Sequence, residues 1–176
     1  MAVAFIQGAS RGIGLEFARC LSARGGVQVV AGCRDPDAAT SLHGLARVEA
    51  VRCDVTREAS LAGVAADILA NHGKLDFAIN VAGILHPSGR GEVRLSDVTI
   101  EALQVGKHNH RNLSVFYTAI ILFVYFQETF QVNTFGPLVM AKHFSPLLQR
   151  GGGLIGTQSS KPRSQHAGLL AHISAR

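Results

Sequence analysis

The sequence predicts an α/β domain in which a doubly wound parallel sheet of about five strands carries helices on both faces. Short apolar runs, suited to strands buried on both faces, alternate with segments of helical periodicity. Turn residues close several of those runs where a sheet's carboxyl edge would lie, at Gly8, Asp54 and Asn80. Alternation of this kind implies βαβ units, whose crossovers force parallel pairing.

Taken in order, Ala2–Ile6 is the first strand and ends in the turn Gly8-Ala-Ser-Arg-Gly12-Ile-Gly14. A helix follows, with Leu15, Ala18 and Leu21 on its apolar face, and it stops at Gly25-Gly26. Val27–Ala31 is the second strand, and Arg34-Asp-Pro opens a loop after it. Val48–Cys53 is the third. Beyond Asp54, Thr56 is placed to cap a helix bearing Leu61, Val64, Ile68 and Leu69, which ends at Asn71-His-Gly73. Leu75–Ile79 is the fourth strand and leads into Asn80-Val-Ala-Gly83. Thr134–Leu148 has a helical pattern around Gly136-Pro137, and Ala167–Ile173 is a fifth strand after a Gly/Ser/Lys/Pro loop.

The chain of 176 residues, 47% apolar and 16% charged, suits one domain with a substantial core and argues against disorder. Its net charge of +5 is scattered along the sequence, which predicts weak anion attraction and no nucleic-acid footprint. Cys20, Cys33 and Cys53 are odd in number and lack metal-ligand spacing, so they read as reduced thiols of a cytoplasmic protein. The start MAVAFIQGAS has no positive n-region, and no secretory leader is expected from it.

The glycine turn is the first feature that points to chemistry. A dinucleotide's pyrophosphate needs close backbone approach where a first strand gives way to a helix, because free N–H groups and the helix dipole favour anions there. Glycine serves where a Cβ would block the approach or where φ is positive. Asp54 could accept from an adenine amino group, although a turn or cap aspartate is the simpler role. Asn80-Val-Ala-Gly83 lies where ligands of open α/β sheets bind. Arg34 stands where an acidic residue would hold a ribose 2′-hydroxyl, and with Arg11 it suits a 2′-phosphate instead.

These residues resemble those of the short-chain dehydrogenase/reductase family, through GASRGIG, the Asp54-Val pair, NVAG and Asn133. Within it, GASRGIG, KLDFAINVAGIL and QVNTFGPLVMAKHF are most similar to the C-factor-like and carbonyl-reductase-like branch. The resemblance implies a Rossmann-type fold, truncated here after about the fifth strand, and NADP(H)-linked reduction of a small-molecule carbonyl compound, with NADP(H) favoured over NAD(H). It places Gly8, Ser10, Arg11, Gly12, Ile13 and Gly14 around the phosphates and Arg34 at the 2′-phosphate. Asp54 and Val55 fall at the adenine, and Asn80, Ala82 and Gly83 along the ribose. Asn133 matches the asparagine that organises a proton-relay water. Gln7 departs from the family's usual threonine, which puts a turn hydrogen bond in question.

The family's catalytic tyrosine has a lysine four residues later and a serine that positions substrate. Tyr117 and Tyr125 are instead followed at that spacing by Ile121 and Thr129. Ser174 is the serine nearest the family's strand-end position, and an alternative register puts Ala175 there. As written, the chain reads as one domain over residues 1–176 that keeps a cofactor half and lacks most of a catalytic half. The usual homo-oligomer interface would be incomplete as well. Two functions follow: an NADP(H)-dependent reductase seen in an incomplete form, or an inactive variant that binds NADP(H) or a partner.

Residues 105–127 interrupt the pattern. Val115–Phe126 is twelve residues without a charge, whereas a membrane-spanning helix needs about twenty, so no anchor is expected. His108 and His110 lack a clear third ligand, and no metal site is expected. A buried strand here would disrupt the family topology. Removing the 23 residues Val105–Gln127 yields LSDVTIEALQETFQVNTFGPLVMAKHF, in which Thr99 can cap a helix and Leu103 and Phe130 fall on one face. The seam Gln104-Val-Gly-Lys back-translates to a splice-donor-like sequence and Tyr-Phe-Gln127 to an acceptor-like one. A retained in-frame intron or a gene-model error is the leading expectation.

Overall fold

The structure is a computed structural model, and it describes residues 1–84 and 127–151 together with the backbone of 169–172. The elements are β1 (Ala2–Gln7), α1 (Gly12–Arg24), β2 (Val27–Cys33), α2 (Thr40–His43) and β3 (Val48–Arg52), then α3 (Glu58–His72) and β4 (Phe77–Asn80). A π-helical turn, Gln131–Phe135, then runs into α4 (Gly136–Arg150), and β5 (Leu169–His172) follows. All pairings are parallel, in the order β3-β2-β1-β4-β5. The chain steps outward from β1 to β3 and returns to the other side of β1 for β4. The order therefore reverses between β1 and β4, and the crevice beyond their carboxyl ends is the natural ligand site of such a sheet.

The central strands β1, β2 and β4 are mostly apolar and buried because helices cover both faces, whereas β3 exposes Glu49 and Arg52. On one face Val3, Phe5, Val30 and Cys53 pack under Leu61, Val64 and Ile68 of α3 and Met140, Phe144 and Leu148 of α4. Phe5 and Phe144 stack with ring centroids 4.5 Å apart. On the other, Ile6, Val29 and Ala31 pack under Leu15 and Ala18 of α1 and Leu42 of α2. Burial of this kind contributes roughly 1.5–3 kcal/mol for each large side chain. Asp76 fixes the register of β4 against β1: Val3 N donates to its Oδ2 at 2.8 Å, Asp76 N donates to Val3 O, and Lys74 pairs with the carboxylate.

The strands, α1 and α3 lie where the sequence placed them to within one or two residues, and Gly73 ends α3 in the left-handed conformation at φ 71°. Three details differ. Thr56 does not cap α3, whose N-cap is Arg57 with no side-chain cap bond. Asp54 Oδ1 captures Thr56 instead, accepting from its N at 2.9 Å and its Oγ1 at 2.7 Å. The helix expected over Thr134–Leu148 begins as a π-turn at Gln131 and continues to Arg150. β5 is shorter than the run Ala167–Ile173. Residues 127–130 are helical and join the π-turn directly. The rest of the expected insert, with Thr99 and Leu103, lies outside the described residues. Among the described residues no helix is long and apolar enough to cross a membrane, and no cluster of three or more His, Cys, Asp or Glu could hold a metal.

Candidate nucleotide site

At the carboxyl edge, beyond β1, β2, β3 and β4, lies a cavity of about 360 Å³. It brings together residues far apart in sequence. Gly8, Ser10, Arg11, Gly12, Ile13 and Gly14 line it from the β1–α1 turn, and Arg34 from the end of β2. Asp54, Val55 and Thr56 come from the end of β3, Ala82, Gly83 and Ile84 from the end of β4, and Val132 from the π-turn.

The turn owes its shape to glycine. Gly8 has φ +86°, and a Cβ there would sit 2.8 Å from Ala82 N, so the β1 and β4 exits approach backbone to backbone. Gly12 has φ +57° with open space where a Cβ would be, leaving its backbone accessible to a ligand. The first amides of α1 have no partner within the helix. Its N-cap Arg11 makes no side-chain cap bond, and its first turn contains no acidic residue. Backbone donors and the positive end of the helix dipole are thus left for an anion. Arg11 and Arg34 are exposed and in no ion pair among the described residues, which leaves two guanidinium groups beside the cavity.

Asp54 keeps Oδ1 in its Asx turn with Thr56, and its N–H is held by Ser60 Oγ at 3.0 Å. Asn80 is buried and is not among the lining residues. Its Oδ1 accepts from Ala82 N at 3.2 Å, so its role in the structure is to shape the turn that brings Ala82 and Gly83 to the cavity. Asn133 is also set back from the wall. Its carboxamide closes on one residue of the β4 exit, with Oδ1 accepting from Ile84 N at 2.9 Å and Nδ2 donating to Ile84 O at 2.7 Å. Ser174 lies outside the described residues.

Gln7 contributes more than its place in sequence suggested. Its side chain crosses β2 above Gly32 and donates from Nε2 to Cys53 O at 3.1 Å, bracing β1 against the β3 exit. A Cβ on Gly32 would meet Gln7 Oε1 at 2.6 Å and the Phe5 ring at 2.9 Å, so the crossing needs glycine beneath it. Oε1 is buried without a hydrogen-bond partner among the described residues. Gln7 itself lines the cavity, and Cys33, Val81, Ile84 and Val132 complete the lining. Of these four, only Val81, within Asn80-Val-Ala-Gly83, and Ile84, directly after it, had a sequence signal that could have flagged them. Burial pushes the Cys53 thiol up to about 12 and raises that of Cys33 as well, so neither is a nucleophile at neutral pH.

Fold and cavity define a doubly wound α/β protein whose crevice at the carboxyl edge of the sheet opens onto the N-terminus of the first helix. The family model described as short chain dehydrogenase matches residues 2–105, more than half of the sequence. The chain belongs to the short chain dehydrogenase family, a family of oxidoreductases. It is 30% identical over 187 residues to momilactone A synthase of Oryza sativa subsp. japonica, a match that spans 99% of this chain and 56% of that protein. It is 27% identical over 178 residues to galactitol 2-dehydrogenase of Agrobacterium fabrum, spanning 99% and 59%. Thus the chain spans little more than half the length of these relatives. Among solved structures, an alcohol dehydrogenase from the archaeon Thermococcus sibiricus, complexed with 5-hydroxy-NADP, is similar at TM-score 0.60 and 27% identity, over 87% of this chain and 55% of that one. A short-chain dehydrogenase from Streptomyces avermitilis shares the fold at TM-score 0.63 and 22% identity.

Proposed function

We propose that this chain is the NADP(H)-binding part of an oxidoreductase that, in full-length form, reduces a carbonyl compound, and that the 176-residue polypeptide binds the nucleotide without turning over. The observation that carries the reading is the convergence of the uncapped α1 N-terminus, Arg11 and Arg34 on one cavity. The residues present fit the dinucleotide: the open backbone at Gly12 suits a pyrophosphate, the two arginines a 2′-phosphate, and Asp54 and Val55 an adenine. Ala82 and Gly83 offer the ribose a wall without bulky side chains. When bound, the nicotinamide supplies or accepts a hydride.

This chain's own residues bind, orient and exclude water at that edge. Reduction of a carbonyl also needs a proton at its oxygen, and the 176 residues contain no Tyr-x-x-x-Lys pair to deliver one. Asn133 holds the β4 exit, and Ser174 is the serine nearest in sequence to the family's strand-end position, with Ala175 as the alternative register. The similarity of GASRGIG, KLDFAINVAGIL and QVNTFGPLVMAKHF to the C-factor-like and carbonyl-reductase-like branch supports a carbonyl substrate. The family match ends at residue 105, where the sequence places the start of the insert, which supports reading 105–127 as an interruption. Transcript sequencing across codons 104–128 tests that reading, and only uninterrupted coding of the segment in every transcript would exclude a retained intron.

Titration of the purified chain with NADPH, followed by thermal shift, tests binding. A ligand of the native state raises stability by about 2.7 kcal/mol at one hundred times its Kd, and the absence of any shift at saturation refutes binding. Carbonyl-dependent oxidation of NADPH by this polypeptide would refute the lack of turnover.

A further inference from the structure

β3 ends at Arg52, and its guanidinium reaches the loop that leaves β2. Nη1 donates to the carbonyl of Arg34 at 2.9 Å. Nη2 lies 3.8 Å from Asp35 Oδ1 and 3.7 Å from Asp37 Oδ2. One side chain thus holds the backbone of the arginine that lines the cavity and engages both carboxylates that follow it. Arg34 is among the lining residues, whereas Asp35, Asp37 and Arg52 are not.

The loop contains two opposed signals for the same ligand position. An arginine just past the second strand suits a ribose 2′-phosphate, and a carboxylate there suits a 2′-hydroxyl. Arg34, Asp35 and Asp37 together carry a formal charge of −1, and Arg52 brings the group to zero. With Arg52 absent, Asp35 Oδ1 would keep a 3.4 Å hydrogen bond from Ala38 N, and no other cation among the described residues pairs with Asp35 or Asp37. Their charge would then fall on Arg34, and Asp35 would compete for the ribose.

We propose that Arg52 is a specificity-determining positioning residue: it holds Asp35 and Asp37 away from the cavity and fixes the Arg34 carbonyl, so that Arg34 reads a 2′-phosphate. The proposal rests on the nucleotide reading above. Arg52, Asp35 and Asp37 are largely exposed, so each ion pair contributes little and is screened by salt. The expected effect is therefore a change in nucleotide preference of about three- to tenfold, larger at low salt, and not a collapse of binding.

The test is to measure the Kd of NADPH and of NADH for the 176-residue chain, for R52Q, for the D35N/D37N double variant and for all three changes together. R52Q should lower the preference for NADPH over NADH about three- to tenfold, mainly through the NADPH arm. In the D35N/D37N background, the same change should lower the preference by a smaller factor than in the parent, because the competing carboxylates are gone and only the bond to the Arg34 carbonyl is lost. An unchanged preference in R52Q, or equal weakening of both nucleotides, would overturn the proposal and leave the nucleotide reading standing. Failure of the unaltered chain to bind either nucleotide would remove that reading and this one with it. If R52Q does not fold, D35N/D37N decides: a preference equal to or above that of the unaltered chain supports the proposal, and a lower one overturns it.

Discussion

Replacing Asn133 by alanine should loosen the β4 exit and can be sized from its geometry. The side chain makes two hydrogen bonds to one backbone unit, accepting from Ile84 N at 2.9 Å and donating to Ile84 O at 2.7 Å. Each contributes about 1 kcal/mol net, and both Ile84 groups are half-buried, so water replaces the lost partners only in part. The expected cost of N133A is about 2 kcal/mol. N133D keeps the shape and the acceptor but loses the donor and turns a carboxylate oxygen toward the Ile84 carbonyl. It should cost at least as much at neutral pH. Urea unfolding followed by circular dichroism measures the change, with an unaltered slope showing that only stability moved. Faster exchange of the Ile84 amide would report the local loss. An unfolding free energy within about 0.5 kcal/mol of the parent, with Ile84 protection unchanged, would refute the assignment of Asn133 as the clasp of the exit.

Other substitutions probe the remaining parts of the site. A Cβ on Gly14 would overlap the Gly8 carbonyl and lie 3.0 Å from Ala9 Cα, so G14A must move backbone. It should cost about 3 kcal/mol in denaturant unfolding and weaken NADPH binding with it. Q7M removes the bond to Cys53 O and the partnerless Oε1 together, and those opposing effects should leave unfolding stability within about 1 kcal/mol of the parent. Glu58 accepts hydrogen bonds from Lys142 and His143, which hold its carboxyl below the ordinary value of 4.5. A carboxylate depressed in the folded state stabilises above its unfolded value and loses that contribution as pH falls through the folded one. The stability gap between parent and E58Q should therefore be present at neutral pH and shrink as pH drops below 4.5.

What could be read in the sequence was local or periodic. The glycine turn, the apolar strands and the glycine that stops α3 are set by neighbouring residues, and the cavity-lining set followed once strand ends were known. What could not be read depended on distant backbone. The four-residue α2 is too short to show a period. The π-turn leads into α4 at Gly136, where a Cβ would meet Val55 Cγ2 at 2.5 Å, a contact between segments far apart in sequence. Thr56 had the right identity for a cap, but Asp54 two residues earlier offered its hydroxyl a closer acceptor. Asn80 was expected along the ribose, and its hydrogen bond from Ala82 N, which shapes the turn after β4, depends on a backbone geometry that the sequence does not display. The role of Gln7 rests on two strands whose adjacency no local pattern reveals.

The crossing of Gln7 above Gly32 also constrains the order in which this sequence can change. Gly32 is pinned from above by two neighbours at once, the carboxamide of Gln7 and the ring of Phe5. An alanine arriving first at position 32 meets both, so one side chain or the other must shift to admit it. Shortening residue 7 first removes only one obstacle, so the permissive step at Phe5 is still required. Positions 5, 7 and 32 should therefore vary together across descendants of this chain, a historical dependence that ties two residues of β1 to one of β2.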